Sequence, residues 1–458
     1  MSSSTETTRP TFSDLTELKG RVITPDDPTY DQARTVFYGG IDKRPSAIAR
    51  VSGVDDVRRV IAKARDEGYE LAVRSGGHSI VGHSTTDGGI VIDLRGMSKI
   101  EVDREARTAW VEAGATALQV TEALAEHGLV VGFGDAGSVG VGGITLGGGI
   151  GFLVRKLGMT IDSVLAAEIV TADGRHLRVD EDHHPDLYWA IRGGGGNFGV
   201  VTRLEFRLHE LRQFTGGILI LPATPETIAG FAAAAFSAPD ELSTIGNVMP
   251  APPMPFLPAE VHGRLVIFAM MAFAGDDESA ARALAPFRAL ATPIADMVKP
   301  GPYAAMYPPE DPNYRPNAVA RTLFVDGIDA SRARTIFDSL SRSDGMRVTQ
   351  LRALGGAMAR VPADATAYAH RSKPMLVNVA SFIQSEADRA PRVAWATELA
   401  RALQPGDDAA YVGFLTDDGE ARIRAAYPGA TWDRLTRIKS TYDPTNLFRL
   451  NQNIPPRS

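Results

Sequence analysis

The residues Arg74-Ser75-Gly76-Gly77-His78-Ser79 set an imidazole directly after two adjacent glycines, where a short apolar run ends. Two residues without side chains let consecutive backbone N–H groups turn toward an anion, and a loop of this kind can wrap a pyrophosphate. The histidine would then lie beside whatever the pyrophosphate carries. A lone Gly-Gly-His is better read as a tight turn followed by a surface histidine, but two more glycine-dense segments follow. Gly132 to Gly151 holds ten glycines in twenty positions, among Phe133, Val139, Val141, Ile144, Leu146 and Ile150. A flexible linker would be polar, so these apolar residues point to folded backbone in close contact with a large flat or phosphorylated ligand. Arg192 to Val201 repeats the theme with four successive glycines before Asn197-Phe198-Gly199. Neither run carries the dinucleotide fingerprint with its acidic residue about twenty positions on, and no Walker lysine follows.

The elements that must position these loops alternate. Val54 to Gly68 has apolar residues at Val57, Val60, Ile61 and Ala64, which predicts an amphipathic helix closed by Gly68. Strands are expected at Glu70 to Arg74, Gly89 to Leu94, Thr108 to Ala113 and Ala166 to Thr171, with a helix from Thr116 to His127 and an Asp-Gly turn at Asp173 and Gly174. From about Gly216 glycine thins and proline rises, with Pro250, Pro252, Pro253, Pro255 and Pro258 crowding one loop, a plausible boundary region for a second domain. There, Leu265 to Ala272 and Met375 to Phe382 read as strands. Asp329 to Ser341 and Glu278 to Ala285 read as helices, the latter stopped by Pro286. The tail from Tyr411 returns to a motif-like character.

Composition narrows the function classes. At 458 residues two domains are expected. The net charge is −7, no basic block stands out, and nucleic acid is excluded as a partner. Cysteine is absent, so disulfides, thiolate metal sites and cysteinyl cofactor bonds are excluded. The Ser/Thr-rich start from Met1 to Pro10 has no signal-peptide core, and no apolar run reaches the roughly 18 residues of a membrane span; the expected location is the cytoplasm.

Taken together, Arg74 to Ser79, the glycine run, Asn197-Phe198-Gly199-Val200-Val201 and the tail from Tyr442 to Ile454 resemble the berberine bridge enzyme-like flavoproteins of the vanillyl-alcohol oxidase superfamily. The resemblance covers nearly the whole chain and extends to bacterial hydroxynicotine oxidase-type members. It implies an α+β fold: a PCMH-type FAD-binding domain of two subdomains, and an α+β substrate domain whose antiparallel sheet is covered by helices. The implied divisions are 1–40 as a leading segment, 41–213 as the FAD-binding domain, 214–409 as the substrate domain and 410–458 as a return to the first domain. It further implies FAD bonded through the 8α-methyl to a ring nitrogen of His78. Relatives with a second, cysteinyl bond carry it where this chain has Ala136, so the link would be single. Val139 stands where relatives with valine react with dioxygen, which points to an oxidase. By the same resemblance Arg74, Ser75, Gly76, Gly77, Ser79, Gly82 and His83 surround the pyrophosphate. Ser138, Gly140, Gly142, Gly143 and Gly149 lie on the flavin side, Gly199 and Val201 near the adenine, and Asn451 and Asn453 beside the flavin.

Hydride loss from an amine or alcohol is easier when a base takes the accompanying proton. Relatives acting on sugars carry Ala-Tyr-x-Asn-Tyr where this chain reads Ala410-Tyr411-Val412-Gly413-Phe414, which argues against sugar-type alcohol oxidation. Tyr411 could line the pocket or simply pack against its neighbours. Tyr368 and His370 stand just before the Met375 to Phe382 strand, on which Asn378 faces the side opposite Val377. These four are the candidate catalytic residues. His183-His184 precede Pro185 on an exposed loop, and no metal is expected. The expected activity is oxidation of a small organic amine or alcohol with dioxygen as acceptor, by a monomer or homodimer. A dehydrogenase or monooxygenase of the same fold, or a flavin carrier without turnover, are the alternatives.

Overall fold

The computed structural model describes residues 12, 15, 17–311, 313–342, 345–404, 406, 408–416 and 419–457; the Met1 to Pro10 segment lies outside them. The first sheet runs Arg21–Ile23, Ala47–Arg50, Ile90–Asp93, Leu71–Arg74, and its last three strands are parallel. Helix Val54–Glu67 makes the crossover, burying Val57, Val60, Ile61 and Ala64, and Gly68 at φ +74° ends it. That left-handed residue turns the chain back into Leu71–Arg74, whose end delivers the histidine loop.

The second sheet is antiparallel, in the order Ile100–Asp103, Thr108–Glu112, Val200–Arg207, Val164–Val170, His176–Val179. The long glycine run leads into Val164–Val170, and the four-glycine segment leads into the central Val200–Arg207. Both loops are thereby anchored to buried strands. Inside the long run, Val141–Gly147 is a helix whose Val141, Thr145 and Leu146 are buried.

At Thr215 the chain enters an eight-stranded antiparallel sheet. Leu219, Leu221, Ile267, Met271, Leu323, Leu351 and Val377 point to one face and form a core with helices Pro225–Ser237, Asp277–Arg288, Ala330–Ser341 and Glu386–Leu403. The proline-crowded loop does not separate domains. It joins Leu242–Pro250 to Leu265–Phe273, which are paired neighbours in this sheet. Pro286 does not stop its helix either, which runs to Arg288. A proline so near the end forfeits one hydrogen bond, and Phe287, buried edge-on against Phe231, holds the last turn in place.

Helix Ala430–Tyr442 carries the tail back to the first half of the chain. The Lys439 ammonium is wholly buried and donates to Asp443 Oδ2 at 2.7 Å, Asn197 O at 2.7 Å and Phe448 O at 3.0 Å. Asn197 in turn donates to Gln452 O and accepts from Ile454 N–H. Lys439→Met should cost about 3 kcal/mol, since a buried carboxylate loses its counter-charge while keeping only two backbone donors; a urea midpoint unchanged from wild type would contradict this.

Candidate active site

The histidine loop and the glycine run touch through their backbones. A Cβ on Gly140 would stand 2.0 Å from Ser75 Oγ and 2.1 Å from Gly76 N, and one on Gly76 would stand 2.2 Å from Gly140 N. Only glycine permits this approach. Ser75 Oγ donates to Ala113 O at 2.5 Å, and Gly142 N–H donates to the same carbonyl at 3.1 Å, so one acceptor ties both loops to the second sheet. Gly77 at φ +76° and Gly82 at φ +74° supply the turns on either side of His78. Ser79 Oγ accepts from His83 N–H and closes that second turn. Arg74 is buried, and its guanidinium donates to the carbonyls of Ala33, Arg34 and Ser84. It thus shapes the loop through backbone contacts.

The imidazole of His78 is fixed from two sides. Phe37 stacks on its face at 4.0 Å between centroids with 18° between planes, and Nε2 lies 2.7 Å from Ser138 Oγ. Burial lowers its proton affinity, against the pull of the Glu310 and Asp135 carboxylates and the Ser138 backbone. Glu310 Oε1 accepts from Ser138 N–H at 3.2 Å. Its loop is held beneath the glycine run by Tyr303 and Tyr307, whose hydroxyls are 3.2 Å apart, the latter donating to Gly134 O at 3.3 Å. Val139 packs half-buried on the adjoining core.

The face of the large sheet opposite its helices turns to this region. On it Asn247, Gln350, Asn378 and Thr322 lie side by side on four neighbouring strands. Gln350 Nε2 donates to Asn247 Oδ1 at 2.8 Å, whereas Asn378 Oδ1 is buried without a partner. Next to them Arg352 donates to Gln350 Oε1 at 2.7 Å, to Ile150 O at 3.4 Å and to Asp135 Oδ2 at 2.5 Å, and its guanidinium covers the Phe414 ring at 4.9 Å. Phe414 meets Tyr411 edge-on at 5.2 Å, and Tyr411 meets Tyr368 at 6.0 Å.

Tyr411 Oη accepts from Gly149 N–H at 3.1 Å. Burial pushes the phenol up to about 12, although the Gly149 and Ile150 N–H groups and Arg352 pull it down. Burial likewise raises Tyr38 to about 12 and Tyr368 further, and the Tyr368 hydroxyl has no partner. His370 Nε2 lies 2.9 Å from Ala425 O, which ties its loop to helix Glu420–Ala426. His183 Nδ1 is bonded to Asp180 at 2.8 Å, and no group of metal-binding side chains occurs among the described residues.

The structure therefore adds Phe37, Asp135, Glu310, Gln350 and Arg352 to the residues singled out from sequence. Asp135 is the one charged residue in the Gly132 to Gly151 run, a signal that was available. Gln350 and Arg352 alternate with buried Leu351 and Ala353, so a two-residue period was there to read as well. Phe37 and Glu310 carry no local signal, because their loops meet His78 and Ser138 only through the tertiary fold.

Residues 45–180 match the FAD binding domain family, and residues 410–455 match the family described as berberine and berberine like. The FAD-linked oxidoreductase YgaK of Bacillus subtilis is 32% identical over 96% of this chain and 98% of its own length. The chain belongs to the berberine bridge enzyme-like family of FAD-linked oxidoreductases. It is also similar to the (R)-6-hydroxynicotine oxidase of Paenarthrobacter nicotinovorans, at 30% identity over 96% of this chain and 97% of that one. The crystal structure of the 6-hydroxy-D-nicotine oxidase of Arthrobacter nicotinovorans matches with a TM-score of 0.86 at 28% identity, covering 98% and 100% of the two chains.

In this FAD-linked oxidoreductase several features fit the cofactor. Asn451 Oδ1 and Asn453 Oδ1 are buried without partners, and buried acceptors of this kind call for a donor. The Asn451 amide donates to Phe448 O at 3.1 Å, and its nitrogen lies 4.0 Å from where a Cβ on Gly196 would be, so the tail adjoins the four-glycine segment. A Cβ on Gly143 would point into open space, although its helix is otherwise packed. Gly149 at φ +79° and Gly199 at φ +155° hold conformations that side chains resist, and Val201 is buried beside the latter. Among the described residues no helix is long and apolar enough to cross a membrane.

Proposed function

We propose that this oxidoreductase takes a hydride from a small organic amine to FAD bonded through His78 alone, and that dioxygen accepts the electrons to give hydrogen peroxide. The observation that carries the reading is the His78 imidazole, clamped by Phe37 and Ser138 on a loop interlocked with the glycine run. Residues 41–213 and 410–458 would hold the cofactor: Ser75 to Ser79, Gly82 and His83 around the pyrophosphate, Ser138, Gly140, Gly142, Gly143 and Gly149 on the flavin side, Gly199 and Val201 near the adenine, and Asn451 and Asn453 at the ring. Ala136, in the position of a second attachment, offers no nucleophile. The bound flavin supplies an acceptor for the hydride. Residues 214–409 would present the substrate from the row of Asn247, Gln350, Asn378 and Thr322, and the protein would work in the cytoplasm as a monomer or homodimer.

An amine is favoured over an alcohol by the acid–base character of the cluster. Alcohol oxidation needs a base for the hydroxyl proton, whereas a neutral amine drives hydride loss with its own nitrogen lone pair. Tyr411 and Tyr38, with proton affinities near 12, stay protonated at neutral pH and so can donate a hydrogen bond but not accept a proton. Asp135 is paired with Arg352. What these groups do is orient the amine and exclude water.

The test is anaerobic bleaching of the yellow protein with a panel of secondary and tertiary amines and matched alcohols, followed by admission of air. Bleaching by amines with prompt return of colour is expected; bleaching by alcohols alone would reverse the substrate assignment, and colour that returns slowly would remove dioxygen as the acceptor. Tyr411→Phe keeps the ring but removes the hydroxyl that Gly149 N–H fixes. It should raise the amine concentration for half-maximal bleaching by about tenfold, the worth of one hydrogen bond to a charged or polar partner, and leave the limiting rate within a few-fold.

A further inference from the structure

We propose that Ser138 is the positioning residue for covalent attachment: its hydroxyl accepts the Nε2–H of His78, so that Nδ1 carries the lone pair that bonds to the flavin. The inference rests on the covalent reading given above and extends it to a residue that never touches the new bond.

Neutral imidazole has one nitrogen that donates and one that accepts, and the partner of the first decides which is which. Nε2 is 2.7 Å from Ser138 Oγ. A serine hydroxyl can play either role, so the surroundings decide. The Glu310 carboxylate, held at the backbone N–H of the same serine that meets Nε2, puts negative charge at the Nε2 edge and so favours the tautomer with its proton there. Glu310 also accepts from Ser138 N–H at 3.2 Å and so fixes the serine that fixes the histidine. Phe37, stacked on the ring, prevents the flip that would put a ring carbon where Nε2 meets Ser138 and turn Nδ1 away.

The step balances as follows. A C–N bond forms between Nδ1 and the 8α carbon, and one C–H bond of that methyl breaks. The ring, alkylated at Nδ1 and still protonated at Nε2, is briefly cationic, a state the Glu310 and Asp135 charges favour. The Nε2 proton then leaves, and the Ser138 hydroxyl can turn to donate where it had accepted. Two electrons and two protons are released in all, and dioxygen takes them as hydrogen peroxide.

The experiment uses full-length protein made under riboflavin limitation, supplied with FAD and followed by flavin fluorescence of the denatured band, with total bound FAD read from the visible spectrum. Ser138→Ala should bind FAD and attach it at least about tenfold more slowly, while Ser138→Thr, which keeps the hydroxyl, should stay near the wild-type rate. Attachment in Ser138→Ala at the wild-type rate would overturn the role of Ser138 and leave the covalent reading standing. A wild-type protein that binds FAD and never attaches it would instead overturn the covalent reading. Should Ser138→Ala fail to fold, the linkage isomer of the wild-type flavin peptide decides: a bond at Nδ1 with normal attachment in Ser138→Thr supports the role, and a bond at Nε2 refutes it.

Discussion

His78→Ala should release all of its FAD into the supernatant on acid precipitation, where the wild-type protein should keep the flavin with the pellet. The loops proposed to surround the cofactor do not depend on the imidazole: Ser75 is tied to Ala113 and Gly76 packs against Gly140 whether or not residue 78 has a ring. The variant should therefore fold and turn yellow. Its thermal midpoint should become dependent on added FAD, gaining about 2.7 kcal/mol of stability at a hundred times the dissociation constant, whereas a cofactor that cannot leave gives no such dependence. On the covalent reading the flavin of the variant should be a weaker oxidant, and a loss of about 1.4–2.7 kcal/mol of driving force would slow anaerobic bleaching by about 10- to 100-fold. Flavin that stays in the pellet would show that some other residue holds it.

Gly140→Ala should be strongly damaging for the addition of a single methyl. Its backbone, at φ −74° and ψ 133°, is one any residue adopts, so the cost is wholly steric. The added carbon would lie 2.0 Å from Ser75 Oγ and 2.1 Å from Gly76 N. The serine could rotate; the backbone of the histidine loop could not, without giving up its place beside the glycine run. A loss above about 5 kcal/mol, or no folded protein, is expected. Gly143→Ala is the matched control, three residues on in helix Val141–Gly147 with nothing near its Cβ. There alanine should add about 0.5–1 kcal/mol of helix stability and yet weaken FAD uptake if the open space is where the flavin binds, as proposed. If both variants fold and bind FAD like wild type, the two loops do not meet as described.

Much of the first half was legible because its signals are local. Val54–Glu67 with its terminal Gly68 and the strand Leu71–Arg74 follow from periodicity and a left-handed cap, and in the second half Met375–Phe382 was legible too. Glycine density concealed helix Val141–Gly147, since seven residues with three glycines have little helical propensity and form only because Val141, Thr145 and Leu146 are buried. Pro286 misled for a related reason: the packing of Phe287 outweighs the lost hydrogen bond. At the site, a histidine after two glycines declares itself, but its partners do not. Asp135 and Arg352 are 217 residues apart, Ser138 and Glu310 172, and pairing over such spans depends on which strands become neighbours. Asn378 was visible on its strand; the row it joins required the register of three others.

The seam where Lys439 and Asn197 hold the tail bears on how the protein is made. The half that would hold FAD is written in two pieces of chain separated by the whole of the large sheet, and Asn451 and Asn453 follow that sheet in the chain. A ribosome that has produced residues 1–430 has made both glycine segments and the histidine, but not the Lys439 ammonium that spans Asn197 and Phe448. The seam thus closes only after the whole of the large sheet has been made. The long sequence separation of these contacts makes their closure a slow event in folding.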